Sequence, residues 1–150
     1  MKTAYFSLGC FWSPQLEFEK IKGVKKAEVG YCGGNDANTT YEKVCSGNTN
    51  HAETIKVEFD EKEVSYEDLV RFFFKIHDPT QLNRQRPDIG TQYRSEIFYN
   101  DENQKIVAEK IKNEFNKKLN GKVVTSISKE KLYQPAEEYH QYYLKRKSLL

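Results

Sequence analysis

The cysteine of Gly9-Cys10-Phe11-Trp12 is the residue best placed to do chemistry. An apolar run, Ala4 to Leu8, ends at Gly9, and apolar residues then recur at helical spacing as Phe11, Leu16, Phe18 and Ile21. A thiol at such a strand-to-helix junction meets unpaired N–H groups and the positive end of the helix dipole, which favour a thiolate nucleophile. A buried cysteine packed as a small apolar residue is the alternative, and position alone does not choose between them. Glu53, at the end of the polar stretch Tyr41 to Glu53 and just ahead of a strand, is a second candidate. Aromatic surroundings would favour its neutral form, which can donate a proton at neutral pH, whereas a solvated glutamate could not. Asp88 and Tyr93 flank a Gly-Thr turn that leads into a strand. Such a carboxylate and phenol could hydrogen-bond a polar substrate group or an ordered water, although ordinary turn chemistry uses the same residues and Arg94 could serve only to pair a carboxylate.

His51 and Cys45 read as structural residues of the loop before Glu53. Cys10, Cys32, Cys45 and His51 lack the close-spaced pairs of a structural zinc site, so no metal is expected.

The elements that must position these residues follow from periodicity and punctuation. The first helix is expected to begin within Cys10 to Pro14, with Ser13 as its cap and Pro14 as its first helical residue. Gly23 ends it, Val24 to Tyr31 reads as a strand, and Gly33 to Asn50 as a long polar loop. Thr54 to Phe59 alternates as a strand with Ile55, Val57 and Phe59 on one face. Tyr66 to Ile76 is an aromatic-rich helix capped by Ser65, with Asp68 three residues on. A second loop, Thr80 to Gly90, leads to a strand at Gln92 to Tyr99, a helix at Glu102 to Leu119, a strand at Lys122 to Ser128 and a short helix at Ala136 to Lys145. This order fits an α/β (α+β) two-layer plait, a ferredoxin-like antiparallel or mixed sheet with helices packed on it and two long inserted loops.

Composition narrows the function classes. The 150 residues, 37% hydrophobic and 13% aromatic, suit one domain over 1–150 with a buried core. Twenty-four Lys and Arg are interspersed with 22 Asp and Glu, leaving +2, which offers no basic face for nucleic acid. No apolar run suggests a signal segment or a membrane span, and three cysteines without a CxxC pair fit reduced thiols in the cytoplasm.

Taken together, GCFW (9–12), GYCGG (30–34), YEKVCSGNTNHAE (41–53), HDPTQLNRQ (77–85) and DIGTQYRS (88–95) resemble, in order and spacing, the A-type peptide methionine sulfoxide reductases. EYHQYYL (138–144) resembles that family's C-terminal helix. The resemblance spans Ala4 to Leu144. It implies that Cys10 attacks the sulfur of the S epimer of methionine sulfoxide, that Phe11 and Trp12 wall the methyl group, and that Glu53 is the acid. Tyr41, Asp88 and Tyr93 complete the implied pocket, with both tyrosines donating hydrogen bonds. Oxidised proteins or peptides and free methionine sulfoxide are the implied substrates, a thioredoxin-like thiol protein the reductant, and no cofactor is implied. A monomer is expected.

The segment from Pro135 to Leu150 lacks the cysteine that often resolves the sulfenic acid in relatives. Cys32, Cys45 and an external thiol remain, with Cys32 favoured because glycines flank its turn. Gln15, where relatives often carry Glu, and Arg86-Pro87 are smaller departures.

Overall fold

A computed structural model describes residues 1–148. Eight strands and five helices follow the chain: β1 (Lys2–Leu8), α1 (Trp12–Glu19), β2 (Val24–Cys32), α2 (Tyr41–Cys45), β3 (Ala52–Phe59), α3 (Tyr66–Lys75), β4 (Arg84–Gln85), β5 (Asp88–Ile89), β6 (Ser95–Tyr99), α4 (Glu102–Lys118), β7 (Ser126–Lys129), β8 (Gln134–Pro135) and α5 (Tyr143–Ser148). Six strands form one sheet in the order β7-β6-β1-β3-β2-β8, and β4 pairs with β5 as a small hairpin. The sheet is mixed: β6 and β7 run parallel and the other neighbours antiparallel.

Strand alternation sends Ala4, Phe6 and Leu8 of β1, Val29 and Tyr31 of β2, and Ile55, Val57 and Phe59 of β3 to one face, where α1, α3 and α4 cover them. Phe6 lies at the centre, stacked on Phe18 of α1 at 5.1 Å and on Phe73 of α3 at 5.5 Å. The opposite face carries a smaller cluster of Cys32, Ala52 and Phe98 under Tyr5 and Tyr133.

The α3 helix starts where its cap predicts, with Ser65 Oγ accepting the Asp68 N–H at 3.0 Å. The first helix does not. It begins at Trp12, so Ser13 lies inside its first turn, and no side chain next to it in sequence caps it. The Phe11 N–H is taken instead by Glu53, 42 residues away, which no local cap rule can foresee. The polar loop 33–50 contains α2, capped by Thr40, whose side chain accepts from the Lys43 N–H. Thr91–Tyr93 wind into a 3-10 turn ahead of β6, and residues 122–125 leave the sheet, with the Val124 N–H donating to Pro79 O at 2.8 Å. The expected helix over 136–145 is broken. Gln141 bonds the backbone of Val29 from both ends of its amide, and Tyr142 takes a φ of 55° as its N–H donates to Gln15 Oε1. These tertiary bonds outweigh local helix preference, and α5 starts only at Tyr143.

Candidate active site

Glu53 sits in β3 opposite Tyr31, on the same strand face as Ile55 and Val57. It therefore occupies a core position and is 1% exposed. Its Oε1 accepts the Phe11 N–H at 3.2 Å, and its buried Oε2 has no partner among the described residues. Burial, which penalises the anion, pushes its carboxyl from 4.5 to about 8; the Phe11 N–H pulls it back, and the Asp88 carboxylate adds to the rise. At neutral pH Glu53 is largely a neutral acid.

Cys10 occupies the β1–α1 junction and is half-buried. Gly9 permits its approach to the β4–β5 hairpin: a Cβ there would lie 2.7 Å from Gln85 Cβ, and the φ of 102° is one that side chains rarely adopt. Gln85 is fixed in turn by two amide bonds to the backbone of Asp78. The helix start does not by itself produce a thiolate. Burial first, then the charge of Glu53, push the Cys10 thiol up to about 12, although the Trp12 N–H works the other way. The contribution from Glu53 disappears when that carboxyl is protonated, so acid and thiol are coupled.

Aromatic rings enclose the other side of the junction. Trp12 stacks on Tyr143 at 3.9 Å and donates its indole N–H to His140 Nδ1 at 3.1 Å. The His140 ring also lies 5.4 Å from Phe11 and 4.3 Å from Tyr41. Tyr41 heads α2, and its phenol is electrostatically coupled to Cys45 and Tyr93. Tyr93, in the 3-10 turn, and Asp88, in β5, both interact electrostatically with Glu53. The fold thus brings together Cys10, Phe11, Trp12, Tyr41, Glu53, Asp88 and Tyr93 from five separate stretches of sequence. An open groove of about 480 Å³ adjoins the site on the hairpin side, reaching Cys10 and Asp88 and lined also by Leu8, Pro14, His77 and Gln85; Phe11, Trp12, Tyr41, Glu53 and Tyr93 do not line it. Among the described residues no group of three or more His, Cys, Asp or Glu side chains could hold a metal ion.

The model of the peptide methionine sulfoxide reductase family matches residues 2–149. The chain belongs to that family. A reductase of the A type from Pelagibacter ubique is 56% identical over 147 residues, covering 98% of this chain and all of the relative, and one from Methanococcus maripaludis is 48% identical over 98% of this chain and 94% of its own. Mxr1 from Saccharomyces cerevisiae in reduced form superposes with a TM-score of 0.94 at 36% identity, over 98% of this chain and 86% of that one. The same yeast protein in complex with Trx2 gives 0.68 at 25% identity, over 95% and 84%. This reductase therefore converts the S epimer of methionine sulfoxide to methionine and repairs oxidised proteins.

Within this reductase, Cys32 is not where a partner for Cys10 would have to be. Its neighbour Tyr31 pairs with Glu53 on the site face, so Cys32 and its partner Ala52 point to the opposite face. Its fully buried thiol donates to Lys131 O at 3.5 Å, and burial pushes it up to about 12. The expectation that Cys32 resolves the sulfenic acid does not fit a side chain separated from Cys10 by the sheet. His51 is structural: it is fully buried, with Nδ1 accepting the Gly34 N–H and Nε2 bonded to Asp36 O. Arg94 pairs with Glu96 at 2.7 Å.

Two residues escaped the sequence reading. Glu137 accepts from the Tyr31 hydroxyl, the Tyr41 N–H and the Tyr139 hydroxyl, and so fixes α2 against the C-terminal segment. His140 holds Trp12. Both fall in a stretch that reads as a helix, and only the density of aromatics there hinted at a second wall.

Proposed function

We propose that Cys10 is the nucleophile and Glu53 the general acid of this reductase. The observation that carries this reading is the Glu53 carboxyl, protonated at neutral pH and presenting a buried oxygen with no partner among the described residues, within electrostatic reach of Cys10. A core position is a costly place for a carboxyl unless the neutral acid has a use there. The sulfoxide methyl lies against Phe11 and Trp12, which no oxygen would favour, and the oxygen lies toward Glu53 and the hydroxyls of Tyr41 and Tyr93. Asp88 acts through Glu53: burial is what holds that carboxyl protonated, and the negative charge of Asp88 adds to the effect.

Attack by Cys10 sulfur on the sulfoxide sulfur is accompanied by proton transfer from Glu53 to the departing oxygen. The sulfoxide S–O bond breaks, the hydroxyl ends on the Cys10 sulfur, and the Cys10 thiol proton restores Glu53: methionine leaves, and Cys10 becomes a sulfenic acid. The sulfoxide is reduced by two electrons and Cys10 is oxidised by two. Thiols alone can supply them, so no cofactor takes part. A thioredoxin-like dithiol protein is the reductant, in line with the yeast relative in complex with Trx2.

Cys10 stands at an open groove beside the hairpin, which supports protein and peptide substrates whose backbone runs past the reacting residue, and free methionine sulfoxide is a further substrate. We read the protein as a monomer working in the cytosol; three cysteines without a CxxC pair suit a reducing compartment. No helix among the described residues is long and apolar enough to cross a membrane.

Steady-state reduction of the S epimer with an excess of dithiol tests the assignment. Cys10→Ser should be inactive, and Glu53→Gln should lose roughly 100-fold to 10,000-fold in kcat with little change in KM. A Glu53→Gln enzyme with the wild-type rate would remove the carboxyl from the mechanism.

A further inference from the structure

Oxidised Cys10 must be returned to the thiol, and the fold restricts how the chain itself can take part. Only three cysteines exist, and Cys32 lies behind the sheet. Cys45 lies in front of it. It ends α2, four residues and about one helical turn after Tyr41, so the two side chains share the face that Tyr41 turns toward the aromatic wall. Cys45 is electrostatically coupled to Tyr41, and also to Cys10, Tyr93 and Tyr139. Cys45 is also exposed, whereas Cys32 is fully buried.

We propose that Cys45 is the resolving cysteine of this reductase, held beside the pocket by the α2 helix that carries Tyr41. The proposal rests on the reading of Cys10 as nucleophile. The Cys45 sulfur attacks the Cys10 sulfenic acid; an S–S bond forms, the S–O bond breaks, and the hydroxyl leaves with the Cys45 proton as water. Cys45 is oxidised and the sulfenic sulfur reduced, and an external dithiol then reduces the disulfide to two thiols. The start of α2 is held by Thr40 and by the Tyr41 N–H bond to Glu137, and its end by the Ser46 N–H bond to Glu42 O, so Tyr41 and Cys45 are carried together on one fixed turn.

Sulfenic acids left in a pocket are open to further, irreversible oxidation, and a second thiol at the mouth removes them at once. It also moves the oxidised state to an exposed sulfur that a reductant protein can reach without entering the pocket.

The test is a single turnover with the S epimer and no reductant, followed by thiol counting, non-reducing electrophoresis and mass mapping of the disulfide. Wild type should release one methionine, lose two thiols and yield a monomer with a Cys10–Cys45 link, and Cys32→Ala should give the same link. Cys45→Ser should release methionine with the loss of one thiol and leave Cys10 open to trapping by dimedone. Loss of one thiol in wild type, a link to Cys32 or a link between chains would overturn the proposal while leaving the nucleophile intact. Failure of wild type to release methionine would overturn the Cys10 reading itself, and this proposal with it.

Discussion

Replacing Glu53 with glutamine should make the folded chain progressively more stable than wild type as the pH rises. Burial carries the carboxyl from 4.5 in the unfolded chain to about 8 in the fold. Between those values the folded chain holds a proton that the unfolded chain has released, so wild-type stability declines with rising pH and levels off above about 8. At ~1.4 kcal/mol per pH unit, full ionisation inside the fold costs roughly 5 kcal/mol. Glutamine keeps the shape and the acceptor for the Phe11 N–H but cannot ionise. Urea unfolding of both proteins at about pH 5 and about pH 7.5 should therefore show the variant gaining roughly 3 kcal/mol on wild type across that window. Other titrating groups are common to both proteins and drop out of the comparison. The same carboxyl must be protonated to act, so wild-type kcat/KM should fall as pH rises through about 8, and the variant should lack that limb. Parallel stability profiles for the two proteins would mean that Glu53 is charged without penalty, and the argument for a neutral acid would fail.

His77 is buried, bonded to Phe73 O and Ser95 Oγ, and burial lowers it from 6.5 to about 4. A depressed base makes stability full above pH 6.5 and lost as pH falls toward 4, by roughly 3 kcal/mol; urea unfolding at about pH 7 and about pH 4 should show this loss in wild type and not in His77→Asn. Ser65→Ala removes the α3 cap and should cost about 1 kcal/mol at neutral pH, read as a lower urea midpoint with unchanged slope. Gly34→Ala would drive a Cβ into the His51 ring and Thr49 O, and should lower stability by about 1–3 kcal/mol in the same assay.

The strands and long helices were legible in the sequence because they bury one face: the alternation of Ile55, Val57 and Phe59 and the apolar set of α3 are period signals that tertiary structure reinforces. What was not legible depends on bonds between distant residues. The start of α1 is satisfied by Glu53, and the C-terminal segment follows Gln15, Val29 and Glu137 instead of its own helix preference. Glu53 was visible as a candidate, but its neutral state comes from a strand position that only the register of β2 and β3 defines. The parity of that register also separates Cys32 from Cys10, a distinction that flanking glycines cannot report. The dipole argument at Cys10 named a real contribution and overestimated it, since desolvation of a half-buried thiol outweighs one N–H.

The most direct test of the account is methionine formed in one turnover, without reductant, from each separated epimer by wild type and by Cys10→Ser. The account predicts one methionine per chain from the S epimer with wild type, and none from the R epimer or from Cys10→Ser. Methionine released by Cys10→Ser would contradict it, because the account assigns the attack on the sulfoxide sulfur to Cys10 alone.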